Sequence, residues 1–176
     1  MDVKTLCLGI LSLGDATGYE IKKLVADGAF SFFSEASYGS IYPALTKLMD
    51  SGLVTCRSES QDGRPDKKIY SLTEDGEQTL KSSMRQSPGP DKQRSEFLAS
   101  VLFSEAVYPE RVTQLISERK LYHEDRIRSL TSLQQEELSP AGRFVIGYGL
   151  HIQRAALAFL EDAGELLVQD VESDVV

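Results

Sequence analysis

The 176-residue chain contains no run of about 18 apolar residues, so no segment of it reads as a membrane-spanning helix. Its N-terminus, MDVKTLCLGILSLGD, has one lysine, a short apolar stretch and no small-residue cleavage site. It reads as a first helix rather than a signal peptide, and a cytoplasmic address is the default expectation. Cysteine is scarce, with only Cys7 and Cys56, both in apolar regular segments, which points to buried thiols rather than a disulfide. Histidine is equally scarce. His123 and His151 are not spaced at i, i+4, and adjacent His123-Glu124-Asp125 point in different directions on a helix, so no metal site is expected. No glycine-rich phosphate loop and no nucleophile with a partner base is recognisable, so no cofactor and no catalytic set are expected. Positive charge is also short. With 19 basic and 27 acidic residues the net charge is −8. Residues 1–84 carry nine basic and twelve acidic side chains, hence −3, and residues 85–176 carry ten and fifteen, hence −5. Any contact with a polyanion therefore has to come from a local patch.

What is present is a strongly patterned helical sequence, 41% apolar and 26% charged. The stretch RQSPGPDKQR, 85–94, is a linker by composition, with two prolines around a glycine among polar residues. It divides residues 1–84, of mixed structure, from a helical half, 95–176. Leu6, Ile10 and Leu13 recur at i, i+4, i+7 and predict a helix over Val3–Leu13, stopped by Gly14. Thr17-Gly18-Tyr19-Glu20 has the form of a capping box, opening a helix to about Ala26 that buries Ile21, Leu24 and Val25. DGAFSFFSEAS, 27–37, reads as a loop in which Phe30, Phe32 and Phe33 need something to pack on. Ile41, Leu45 and Leu48 then mark a helix capped by Ser40 and ended by Gly52. Pro43 is tolerable there if it falls at the third helical position, where the backbone N–H has no intrahelical partner. A start at Ser37 would place it deeper and predict a kink.

The period then changes. LVTCRSES (53–60) and KIYSL (68–72) alternate apolar and polar residues around the turn cluster QDGRPD, which predicts a β-hairpin with a long tip. Thr73 caps a further helix to about Met84, with acids in its first turn. Three helices, a hairpin and a helix make the order of a winged helix-turn-helix, in which the second helix of the turn unit enters the major groove. Its core face is Ile41, Leu45, Leu48 and Met49. Its outward face offers Ser40, Tyr42, Pro43, Thr46 and Lys47 with Asp50, and the wing offers Arg64, Lys67 and Lys68. Strand residues alternate faces, so at most one of Lys67 and Lys68 reaches the groove side. Roughly three to five phosphate contacts per protomer would give a dimer a log–log salt slope of about −5 to −9.

In the second half, Phe97, Leu98, Val101 and Leu102 mark a short helix. Val112, Leu115, Ile116, Tyr122, Leu130 and Leu133 follow a helical period from Glu110 to about Leu138, and Pro140 separates these residues from a last helix. Helices this long suit an antiparallel pair docking on a partner chain. The expected dimerisation residues are Leu6, Ile10 and Leu13 of the first helix and Phe144, Tyr148, Ile152, Ala155 and Phe159 of the last. Tyr108, Tyr122, Phe144, Tyr148 and Phe159 could line a ligand cavity between subunits, although core packing is the commoner use of such residues.

At GYEI (18–21), GSIYPAL (39–45), Leu48 with SGLV (51–54), GRP (63–65) and Tyr70 followed by LTEDG (72–76), the sequence resembles the PadR family of bacterial transcriptional regulators. The resemblance covers most of residues 5–80 in order and spacing, and the second half only in layout. It implies a homodimer binding a pseudo-palindromic double-stranded DNA operator, usually as a repressor. Ser40, Tyr42, Pro43 and Lys47 of the helix and Arg64, Lys67 and Lys68 of the wing would contact DNA. Some relatives sense small planar molecules, so a small-molecule effector stays open. Asp62 and Asp66 dilute this wing relative to the Arg- and Lys-rich wings of many relatives. A protein-interaction adaptor built on the same module is the alternative.

Overall fold

The computed structural model describes residues 1–26, 38–61, 64–90, 94–108, 110–134 and 137–174. It divides into two compact units, Met1–Pro90 and Asp91–Val176.

In the first unit, α1 (Val3–Leu11) starts where the Asp2 carboxylate accepts from the Thr5 N–H at 2.8 Å. That hydrogen bond holds the Asp2 carboxyl below its ordinary range. The helix ends at Leu11 with Ser12 as its C-cap, two residues earlier than the apolar period suggests, and leaves Leu13 exposed. A two-residue strand β1 (Ala16–Thr17) leads into α2 (Gly18–Ala26). The capping box forms as its residues predict: the Thr17 N–H and hydroxyl each donate to Glu20 Oε2 at 2.7 Å, and the Glu20 N–H donates to Thr17 Oγ1 at 3.1 Å. Ile21 and Val25 are buried, whereas Leu24, expected beside them, is exposed. The expected 27–37 loop lies outside the described residues.

α3 (Tyr38–Asp50) starts two residues before Ser40, so Ser40 lies inside the helix and Pro43 at its sixth position. The proline removes the donor that would reach the Gly39 carbonyl. Gly39 itself is exposed. The helix persists because Ile41, Ala44, Leu45 and Leu48 make a buried i, i+3, i+4, i+7 stripe. Met49, expected on that face, is exposed, and Ala44 takes the place. α3 ends in a Schellman motif. Gly52 adopts φ +70°, its N–H donates to the Met49 carbonyl at 2.9 Å, and the Leu53 N–H donates to the Leu48 carbonyl at 2.9 Å.

β2 (Val54–Gln61) and β3 (Arg64–Leu72) form the hairpin, and β1 pairs on the far side of β3, giving an antiparallel sheet of order β1-β3-β2. The strands run further than the sequence pattern suggests, leaving only Asp62 and Gly63, outside the described residues, between them. Pro65 stands beside a register irregularity between Glu59 and Gln61, a place where a missing ladder donor is tolerated. Cys56 pairs with Tyr70 and Val54 with Leu72, so these share the core face. α4 (Glu74–Met84) is capped by Thr73, whose hydroxyl accepts from the Gly76 N–H at 3.0 Å and donates to the Gly52 carbonyl at 2.8 Å. One core joins these elements: Leu6, Cys7, Leu8, Ile10 and Leu11 of α1, Ile21 and Val25 of α2, the α3 stripe, Val54 and Tyr70. Leu6 and Ile10 are thus buried in the first unit rather than offered to a second subunit. Burial pushes the Cys7 thiol up to about 11, in keeping with an inert core cysteine.

The second unit holds α5 (Glu96–Val107), α6 (Glu110–Leu133) and α7 (Pro140–Asp174). At 1.5 Å per residue α6 is about 36 Å long and α7 about 52 Å. Ser139 accepts from the Gly142 N–H at 3.1 Å, and Pro140 takes the first helical position, where its missing donor costs nothing. α6 and α7 pack antiparallel. Ile116 Cγ2 would lie 3.1 Å from a Cβ on Gly164, so the helices approach closely there. Lys120 reaches Glu165 at 3.1 Å, and His123 Nδ1 reaches Gln153 Oε1 at 2.7 Å. The Arg119 guanidinium lies 4.5 Å from the Phe97 ring centroid, tying α5 to α6. Val112, Ile116, Leu160 and Val171 form the core. No helix among the described residues is long and apolar enough to cross a membrane.

Candidate nucleic-acid interface

The burial of one α3 stripe dictates what the opposite face presents. With Ile41, Ala44, Leu45 and Leu48 turned inward, Tyr42, Pro43, Thr46 and Lys47 are exposed and Ser40 is half-buried at the margin. The Thr46 hydroxyl donates to the Tyr42 carbonyl at 3.1 Å. Lys47 is the only basic residue of α3. Packing of α1 on α3 makes a shallow open cleft of about 280 Å³, lined by Asp2, Val3, Lys4, Ser40, Pro43, Ala44 and Lys47. Three of the expected α3 residues therefore share one groove. Lys4 joins them from 36 to 43 positions away, which no local pattern in the sequence could signal.

Tyr42 sits on the other flank. Its ring lies close over Gly18, the first residue of α2, where a Cβ would come within 2.6 Å of Tyr42 Cε1. Burial is also the main cause that pushes the Tyr70 hydroxyl above its ordinary range, with smaller contributions from Cys56 and Tyr42.

The wing separates its basic residues. Lys67 pairs with Glu59 across the hairpin and Lys68 with Ser58, so the two lysines point to opposite faces. Lys67 Nζ stands 3.6 Å from Glu20 Oε1, so it is engaged by the α2 capping carboxylate. The Glu20 carboxyl is held below its ordinary range, first by the Thr17 N–H and hydroxyl and then by Lys67. Lys68 is exposed and lies on the face that carries Cys56 and Tyr70. Arg64 opens β3 opposite Gln61, and its side chain lies outside the described residues. On the other face of the hairpin Arg57 donates to Asp15 at 2.6 Å.

The expected subunit-contact residues divide in two. Phe144, Tyr148, Ile152, Ala155 and Phe159 are all exposed on α7, while Ile146, Leu150 and Leu160 of the same helix are buried. Leu166 extends the exposed stripe, and α5 adds exposed Leu98, Leu102 and Phe103. The α5 patch carries no clear signal in the sequence, because α5 is apolar on most sides.

Residues 7–82 match the transcriptional regulator PadR-like family. The Bacillus subtilis (strain 168) protein named Negative transcriptional regulator PadR is 28% identical over 140 residues, 79% of this chain and 76% of that protein. In three dimensions the chain is similar to smu.1604c from Streptococcus mutans UA159, with a TM-score of 0.83 and 33% identity over 93% of this chain and 98% of that one. It is also similar to Bacillus subtilis PadR crystallised with operator DNA, with a TM-score of 0.76 and 26% identity over 93% of this chain and 98% of that one. A structure of the same PadR with p-coumaric acid has a TM-score of 0.69 and 25% identity, covering 94% of this chain and 98% of that one. A winged helix with one polar helix face turned outward, matched in sequence over residues 7–82 and in fold, has this reading: the first unit of this chain is a transcriptional regulator PadR-like domain.

Proposed function

We propose that this chain is a sequence-specific repressor that binds a pseudo-palindromic operator as a homodimer, reading DNA with α3. The observation that carries the reading is α3 itself. One stripe is wholly buried, and the opposite face offers hydroxyls, a proline edge without an N–H and a lysine to a groove. Residues 1–84 act as the DNA-binding domain, 85–94 as a linker and 95–176 as the dimerisation domain. Ser40, Tyr42, Pro43, Thr46 and Lys47 approach bases and backbone, with Arg64 and Lys68 on flanking phosphates. Lys67 contributes less, because it must first leave Glu20. The negative role of the Bacillus subtilis relative supports repression, and its operator complex supports duplex DNA as the partner. Its p-coumaric acid complex supports a small-molecule effector, of unassigned identity, for this chain as well. Selection of bound duplexes from a random pool tests the whole reading. An inverted repeat with half-sites about one helical turn apart is the expected product; an unselected pool would overturn the reading.

The exposed α7 stripe is the proposed subunit contact. Phe159 is 64% exposed, so Phe159→Glu leaves the core of the second unit intact. Light scattering should then report a monomer where the unaltered chain gives a dimer. A second copy that still associates with unchanged affinity would exclude the α7 stripe.

A further inference from the structure

The capping box and the α3 reading face meet at one glycine. Gly18 is the first residue of α2, and an ideal Cβ built on it would lie 2.6 Å from Tyr42 Cε1 and 3.3 Å from Cδ1 and Cζ. The ring edge of Tyr42 therefore rests on a bare α-carbon. That α-carbon has little freedom to give way. The preceding residue, Thr17, pairs with Ile69 in the sheet, and its N–H and hydroxyl both donate to Glu20 Oε2 at 2.7 Å. The Glu20 N–H closes the ring of contacts on Thr17 Oγ1, and the second Glu20 oxygen faces Lys67 of the wing strand. Tyr42, by contrast, is 49% exposed. A side chain at position 18 would displace the ring, not the backbone.

We infer that Gly18 is a positioning residue for DNA recognition: its missing side chain is the seat that sets the direction in which Tyr42 leaves α3. The inference rests on the reading of α3 as the DNA-contacting helix. The start of α2 then couples the wing strand, through Lys67 and Glu20, to the orientation of a side chain on the reading helix.

The test uses the full-length chain with Gly18→Ala, Tyr42→Ala and the double substitution, measured for affinity to the selected operator duplex and for thermal melting. Tyr42→Ala should weaken binding roughly fivefold or more, the lower range for removal of a base-edge contact. Gly18→Ala should weaken it by a similar factor, and the double variant should bind no worse than Tyr42→Ala alone, since both remove one contact. Alanine is a better helix residue than glycine, so melting of Gly18→Ala should not fall on backbone grounds. If it does fall, adding Tyr42→Ala should restore it by removing the clash, and a failure to restore overturns the inference. Operator binding unchanged in Gly18→Ala but weakened in Tyr42→Ala also overturns it, while leaving the DNA-reading helix intact. Binding unchanged in Tyr42→Ala would remove Tyr42 from the interface and the role of Gly18 with it.

Discussion

Lys47→Ala should bind operator duplex roughly thirtyfold more weakly at about 0.15 M monovalent salt. In the proposed dimer the substitution would take one phosphate neutralisation from each half, and each is worth about 0.9 of a power of salt concentration. Lys47 is the sole cation on α3 and lies on the rim of the cleft shared with Lys4. The chain carries −8 overall, so the field that attracts a duplex depends on a few such positions. The log–log salt slope should become shallower by about two units per dimer, roughly one for each lysine replaced. Stability should stay within about 0.5 kcal/mol, as for surface substitutions in general. Lys81→Ala is the matched control. Lys81 is engaged by Glu77 at 2.6 Å on α4, and its removal should leave affinity and slope unchanged. A fluorescence-anisotropy titration at several salt concentrations reads both quantities. Equal slopes for Lys47→Ala and the unaltered chain would remove Lys47 from the interface.

Gly76→Ala should have the largest effect on stability. Gly76 is buried in the first turn of α4, and an added Cβ would lie 2.1 Å from the Leu53 carbonyl oxygen and 2.9 Å from Leu72 Cδ1. The first of these is backbone, so no rotamer change relieves it. Leu53 is also the residue that closes the Schellman motif of α3 and accepts from the Thr73 N–H at 3.2 Å. Moving it loosens the end of α3 and the start of α4 together. Overpacking of this kind costs about 3 kcal/mol. For a unit of this size that corresponds to a fall in melting temperature of roughly 10–20 °C. Calorimetry of the full chain should show the change. Melting unaltered by Gly76→Ala would mean that α4 does not pack on the α3–β2 corner as described.

Much of this architecture was legible because its signals are local. Thr17 and Glu20 stand three residues apart and make the capping box that their spacing predicts, and Thr73 caps α4 with acids in the next turn. Gly52 ends α3 as a left-handed glycine. Other features are set by tertiary contact and leave no local mark. β1 is two residues long, too short for any alternation, and exists because β3 offers it a free edge. Leu6 and Ile10 look like an interface stripe until α3 and α4 close over them. The start of α3 was legible only to within a few residues. Ser40 is a good capping residue, but the helix begins at Tyr38, so Pro43 is held by the buried stripe beneath it rather than by a permissive first turn. The wing lysines show the same limit. Adjacency in sequence cannot say that Glu20, 47 positions away, engages Lys67 and leaves Lys68 exposed.

The proposed operator binding requires a small cationic face to overcome an acidic whole, and titrating duplex affinity against salt measures that directly. With the selected operator, log affinity plotted against log salt should fall on a line of slope about −5 to −9. A chain that shows no duplex affinity even at about 50 mM salt, or an affinity indifferent to salt, would contradict it.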